Sequence, residues 1–201
     1  MRLEILEMLR KKSVPRDWDG LQDRFQAEIL GYEGQAPIYK FYTTLTDSLE
    51  VNTHSISVVV QPCQSYIPYH QHNFVEMIIP LLGSCEVISN GQKILVEQEN
   101  IMVVGKGTTH RVENIDSGVI VVNISLRNTA FSLNDLNFML HIGFNQSISS
   151  MLFSLLSGSG DYGAKYSLFR INHERKIVDL IYDIIEEYGS VAKFENQTRP
   201  L

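Results

Sequence analysis

Apolar and polar positions along the chain change period twice. In the first stretch, residues 1 to about 36, Leu21, Phe25 and Ile29 recur at i, i+4 and i+8, joined by Trp18, and Gly31 offers a stop. This pattern predicts an N-terminal helical segment that covers the core following it. From about 37 to 128 the period falls to two. Runs rich in Val, Ile, Tyr and Thr alternate with turn residues at Ile38–Tyr42, Val51–Gln61, Phe74–Leu82, Cys85–Ser89, Lys93–Glu97, Ile101–Val104, His110–Asn114 and Val119–Ser125. Asn90-Gly91 marks a tight hairpin, and Asp116-Ser117-Gly118 marks another turn. Many short strands at close spacing predict a sandwich or jelly-roll barrel rather than an α/β sheet.

From 129 to 201 the pattern returns to helix. Ile177, Leu180, Ile181, Ile184, Ile185 and Tyr188 follow i, i+3, i+4, i+7, i+8 and i+11, which builds one apolar face. Asn172 is placed to cap this helix and Gly189 to close it. Ser132–Ile142 and Ser147–Leu156 are shorter helical candidates. The apolar face of the long helix suits either a dimer interface or packing on the barrel.

Composition narrows the function classes. The 201 residues are 44% hydrophobic and 20% charged, enough for a packed core, and the net charge is −6. A domain that grips DNA phosphates by itself carries a basic face, whereas here the one basic run is Arg10 to Lys12. Two cysteines, Cys63 and Cys85, with no C-x-x-C spacing, argue against a disulfide scaffold and fit a reducing compartment. No apolar run approaches the roughly 18 residues of a membrane span. The expectation is a cytoplasmic protein with no membrane partner.

Candidate chemistry sits in two blocks. The first is His70-x-His72-x-x-x-Glu76, followed by Gly83; the second is Gly107-x-x-His110-x-x-x-Asn114. Residues two apart on a strand face the same way, so His70 and His72 can aim at one point. Glu76 cannot join them along the same straight strand, because four extended residues cover roughly 13 Å. The backbone must bend near Asn73, and His110 must arrive on a further strand after the Gly105–Gly107 loop. Three imidazoles and a carboxylate suit a divalent transition metal such as Zn, Fe, Mn or Ni; the same set can also line a pocket without an ion. By strand parity Phe74 and Ile78 share the face of Glu76, and Val112 shares that of His110. Tyr66 and Tyr69 stand near enough in sequence to border the mouth.

The spacing of His70, His72, Glu76, Gly83, Gly107, His110 and Asn114 resembles the two motifs of the cupin superfamily. It departs from them at Gly105, where cupins usually carry proline, and at Glu99-Asn100, which replaces a glycine-acid turn. The resemblance implies a mainly β protein: a cupin double-stranded β-helix, or jelly-roll, barrel with an N-terminal helical segment and C-terminal α-helices. The stretch from His70 to Arg111, with the Tyr166–Phe169 strand and the Ile177–Tyr188 helix, is further similar to the N-terminal sensing domain of arabinose-operon-regulator (AraC) family transcription factors. That resemblance implies a barrel binding a small effector such as a sugar or metabolite, a homodimer formed through tail helices, and DNA contact through helix-turn-helix units not evident in these residues. The expected ligand-binding set is His70, His72, Phe74, Glu76, Ile78, His110, Val112 and Tyr66, with His70, His72, Glu76 and His110 as metal ligands and no catalytic residue. The alternative is a stand-alone metal-dependent cupin enzyme, an oxygenase or isomerase.

Overall fold

The computed structural model describes residues 2–18, 28–41, 55–130, 132, 134, 166–172 and 174–197. An N-terminal helix, α1 (Leu3–Lys12), precedes a hairpin of β1 (Glu28–Glu33) and β2 (Ala36–Phe41). Then come β3 (Ile56–Val60), β4 (Ile67–His72), β5 (Val75–Leu82), β6 (Cys85–Ser89), β7 (Gln92–Val96) and β8 (Ile101–Val104). The short β9 (His110–Val112) and long β10 (Ile120–Leu126) follow, and after them β11 (Tyr166–Phe169) and a long helix, α2 (Arg175–Gln197).

The strands form two sheets, one ordered β1-β2-β4-β9-β6-β7 and the other β11-β8-β5-β10-β3. Successive strands cross from one sheet to the other, as β4 to β5 and β8 to β9 do. The result is a jelly-roll barrel, the architecture that the strand pattern predicts. Ile67, Val87 and Val112 from the first sheet meet Ile78, Met102, Val104 and Val121 from the second to fill the barrel interior. At the Asn90-Gly91 turn both residues have positive φ, 51° and 69°, the geometry of a type I′ hairpin. Gly83, between β5 and β6, has φ 74°, and a Cβ there would lie 2.8 Å from Val119 Cγ2. Both the backbone and the neighbour therefore require glycine.

The outer face of the five-stranded sheet is also covered. Ile79, Leu81, Ile120, Val122 and Ile124 pack against Ile5, Leu6 and Leu9 of α1 and Ile181, Tyr182 and Ile185 of α2. The sheet is thus buried on both sides, which is why β5 and β10 read as nearly continuous apolar runs and not as alternating ones. Arg2, just before α1, pairs with Asp183 and Glu186 of α2.

Three expectations change. Residues 28–33 are strand, so Ile29 and Gly31 belong to a hairpin; Leu21 and Phe25 lie outside the described residues. Pairing with β2, around Gly34 at φ 62°, decides this segment. Gly189 does not end the last helix, which runs on to Gln197. Asn172 stands in a left-handed turn before the helix, and Glu174 instead offers the first carbonyl, to Val178. Pro80 lies within a central strand, where the ladder to β8 has already ended at Ile78; its carbonyl still accepts the Glu99 N–H at 2.8 Å. Of the expected helical segments Ser132–Ile142 and Ser147–Leu156, all but residues 132 and 134 lie outside the described residues. Among the described residues no helix is long and apolar enough to cross a membrane.

Candidate metal centre and adjoining cavity

His70 and His72 project from β4 on one face. The chain then turns at Asn73-Phe74 into the opposite sheet, and Glu76 returns toward them from β5. His110 opens β9, next to β4, in direct register with His70. Its approach loop is tied back to β4 by the Gly107 N–H, which donates to the His72 carbonyl at 2.9 Å. All four side chains are buried, and their candidate ligand atoms lie within 4.8 Å of one another. Two donors bound to one ion at about 2.1 Å can stand at most about 4.2 Å apart, so only a small contraction separates the cluster from a coordination shell.

Each imidazole is oriented by its own strand neighbourhood. Nδ1 of His70 donates to the Pro68 carbonyl at 2.8 Å, that of His72 to Phe74 at 2.7 Å, and that of His110 to Thr108 at 3.1 Å. With Nδ1 so committed, Nε2 is the atom each ring presents to the centre. His110 Nε2 lies 3.2 Å from Glu76 Oε2 and His72 Nε2 3.6 Å from it. His72 Nε2 is buried with no hydrogen-bond partner, an arrangement that a metal ion would complete. The donor set therefore fits a divalent transition metal held by His70, His72, Glu76 and His110.

The electrostatics agree with ligand duty. Burial holds the His70 imidazole well below its usual value, and neighbouring His110 adds to the effect, so His70 is neutral near pH 7. For Glu76, burial alone would raise the carboxyl, but the His110 and His72 imidazoles beside it outweigh that and hold it well below the ordinary carboxylate range.

A second set of groups supports Glu76 from behind. Asn123 Nδ2 on β10 donates to Glu76 Oε1 at 2.8 Å, and Gln61 Nε2 donates to Asn123 Oδ1 at 2.6 Å. The Gln61 carbonyl in turn accepts the hydroxyl of Ser13, at the end of α1, at 2.7 Å. Asn123, Gln61 and Arg16 are not among the positions expected from sequence. One signal was present, since Asn123 interrupts the apolar run of β10, and a polar residue inside a buried strand needs a partner.

The cluster borders a small cavity of about 60 Å³ whose wall includes His70, Phe74, Glu76, Gln61, Asn123 and Arg16. Phe41 stacks on His70 with centroids 4.5 Å apart, and Trp18 stacks on Phe41 at 6.5 Å. Phe74 stacks on His72 at 4.3 Å. Of the expected ligand-binding set, the structure brings together the three histidines, Glu76 and Phe74. Ile78 and Val112 lie deeper, in the apolar filling of the barrel. Tyr66 borders a different cleft, of about 180 Å³, with Tyr69, Tyr39 and Trp18, where the Arg111 guanidinium lies 5.7 and 5.3 Å from the Tyr66 and Tyr69 ring centres.

No protein-family model and no curated protein matches this sequence. Among solved structures the chain is similar to the DMSP lyase DddQ from Ruegeria pomeroyi at 21% identity and TM-score 0.32, covering 39% of this chain and 41% of the lyase. It is similar to a cupin 2 conserved barrel domain protein from Salinispora arenicola at 17% identity and TM-score 0.33, covering 40% of this chain and 72% of that one. An RmlC-like cupin from Desulfovibrio desulfuricans shares 22% identity at TM-score 0.31, over 37% of this chain and 74% of its own. The chain thus spans less than half the length of the lyase. The strands and their order make this a mainly β jelly-roll barrel of cupin type, with a buried cluster of three histidines and one glutamate able to hold a metal ion.

Proposed function

We propose that this chain is a small-molecule-sensing module in which a divalent metal, held by His70, His72, Glu76 and His110, forms part of the binding wall. One observation carries the reading: the line of hydrogen bonds from Glu76 through Asn123 and Gln61 to Ser13. A molecule that changes the partners of Glu76 changes the seat of α1, which is the coupling a sensor needs. Bound there, the metal supplies a Lewis-acidic centre that attracts an oxygen ligand. In this reading the module serves a cytoplasmic regulator of the AraC type, acts as a homodimer, and reaches DNA through a separate domain; its net charge of −6 suits that division of labour.

A second reading, a metal-dependent cupin enzyme, draws on the same four ligands. Against it, the described residues of the cavity wall offer no acid or base beyond the cluster itself. Metal content by mass spectrometry, combined with hydrogen exchange over residues 3–18 during titration of a metabolite panel, separates the two. We expect about one metal per chain, lost in His72→Ala and Glu76→Ala, and a panel compound that changes exchange in α1. A compound that is turned over while α1 exchange stays constant would favour the enzyme. A protein that binds neither metal nor panel compound would defeat both.

A further inference from the structure

The cavity beside the metal cluster has a chemical polarity that its hydrogen bonds dictate. Asn123 turns its NH₂ toward Glu76, donating to Oε1 at 2.8 Å. Asn123 Oδ1 then faces Gln61, which must turn its own NH₂ toward Asn123. The chain of donors ends at Gln61 Oε1, and this acceptor has no hydrogen-bond partner although Gln61 is only 3% exposed. A buried acceptor left unmade is destabilising in the unliganded protein, and a site built around one selects for a molecule that supplies the missing donor.

A second feature of the same wall is charge. Among the described residues lining this cavity, Arg16 carries the only permanent positive charge, in a chain whose net charge is −6. Its backbone N–H is anchored to Ser65 Oγ at 2.6 Å, and its guanidinium lies 5.2 Å from the centre of the Trp18 ring. The same wall carries apolar Phe41, Phe74 and Ile67. A volume of about 60 Å³ holds roughly four waters, so the occupant has few heavy atoms.

We propose that this cavity recognises a small hydroxy-carboxylate, with Gln61 Oε1 accepting from the hydroxyl and Arg16 pairing with the carboxylate. Gln61 is thereby a specificity-determining residue. The inference rests on the barrel being a small-molecule site and adds the class of molecule it takes.

Trp18 is the single tryptophan of the chain and lines the cavity, so its fluorescence reports occupancy directly. The test titrates the full chain with lactate, which has both groups, and with propionate, which lacks only the hydroxyl. Lactate should bind on the order of tenfold more tightly than propionate. Gln61→Met should bring the two affinities together, whereas a merely structural role for Gln61 would weaken both and leave their ratio unchanged. Arg16→Met should weaken both acids alike. Equal affinities in the unmodified protein, a preference that survives in Gln61→Met, or no saturable lactate binding would each overturn the proposal. The metabolite panel keeps the broader reading separate: a panel compound that binds without hydroxyl or carboxylate sinks this inference and leaves that reading standing.

Discussion

His70 and Glu76 occupy sites that oppose their ordinary protonation in the same direction. Both have folded values held below their usual ones, so in each case the unfolded chain takes up a proton before the folded chain does. The contribution of His70 to stability is complete above about pH 6.5, its ordinary value, and is lost as pH falls below that. The contribution of Glu76 is present above its ordinary value of 4.5 and is lost as pH falls further, through its folded value. The metal-free protein should therefore show a melting temperature that declines in two stages on acidification. His70→Gln should flatten the upper stage, which begins as pH falls below about 6.5, and leave the lower one; an unchanged upper stage would show that His70 is not held neutral. Cys85 shifts in the opposite sense, since burial pushes its thiol up to about 12 and keeps it a small apolar filler of the barrel.

At the scale of elements, the last helix tests whether its apolar face is spent inside the molecule. Ile181, Tyr182 and Ile185 are 5%, 1% and 2% exposed against α1 and the outer sheet, while Leu180 on the flank is 58% exposed. Truncating Tyr182 to alanine should cost about 3–5 kcal/mol by the scale of buried aromatic deletions. Ile181→Glu should lower the denaturant midpoint before it alters oligomeric state, as read by chemical unfolding beside light scattering. A change in mass at unchanged midpoint would assign this face to a partner. The sequence pattern carried most of this level. Short runs rich in Val and Ile bounded by turn residues located β5, β6, β8 and β10 to within a residue or so, and the His70-x-His72-x-x-x-Glu76 and His110 spacing located the cluster. One strand was not legible: β1 is exposed on nearly every residue, so no alternation marks it as a strand. Glu99 likewise adopts φ 63° where the turn would favour glycine, a conformation its own side chain does not announce. Asn123 and Gln61 escaped for a third reason. Their role lies in which atom of a neighbouring amide faces them, and no spacing along the chain encodes that.

For the molecule as a whole, the sheet that carries Glu76 is completed from a distance. Strand β11 pairs along the full length of β8, Tyr166 against Val104 through Phe169 against Ile101. Polypeptide from beyond the compact run of strands therefore closes one side of the five-stranded sheet. A version ending shortly after Leu126 should keep its metal ligands and yet self-associate, because β8 would present an unpaired row of backbone groups. Size-exclusion profiles over a dilution series would show this, and a well-behaved monomer would contradict it. The same pairing has a consequence in time. During synthesis β8 leaves the ribosome roughly sixty residues before the strand that shields it. For several seconds of translation the nascent barrel has its histidines in hand and one flank bare, and chaperone occupancy should peak in that interval.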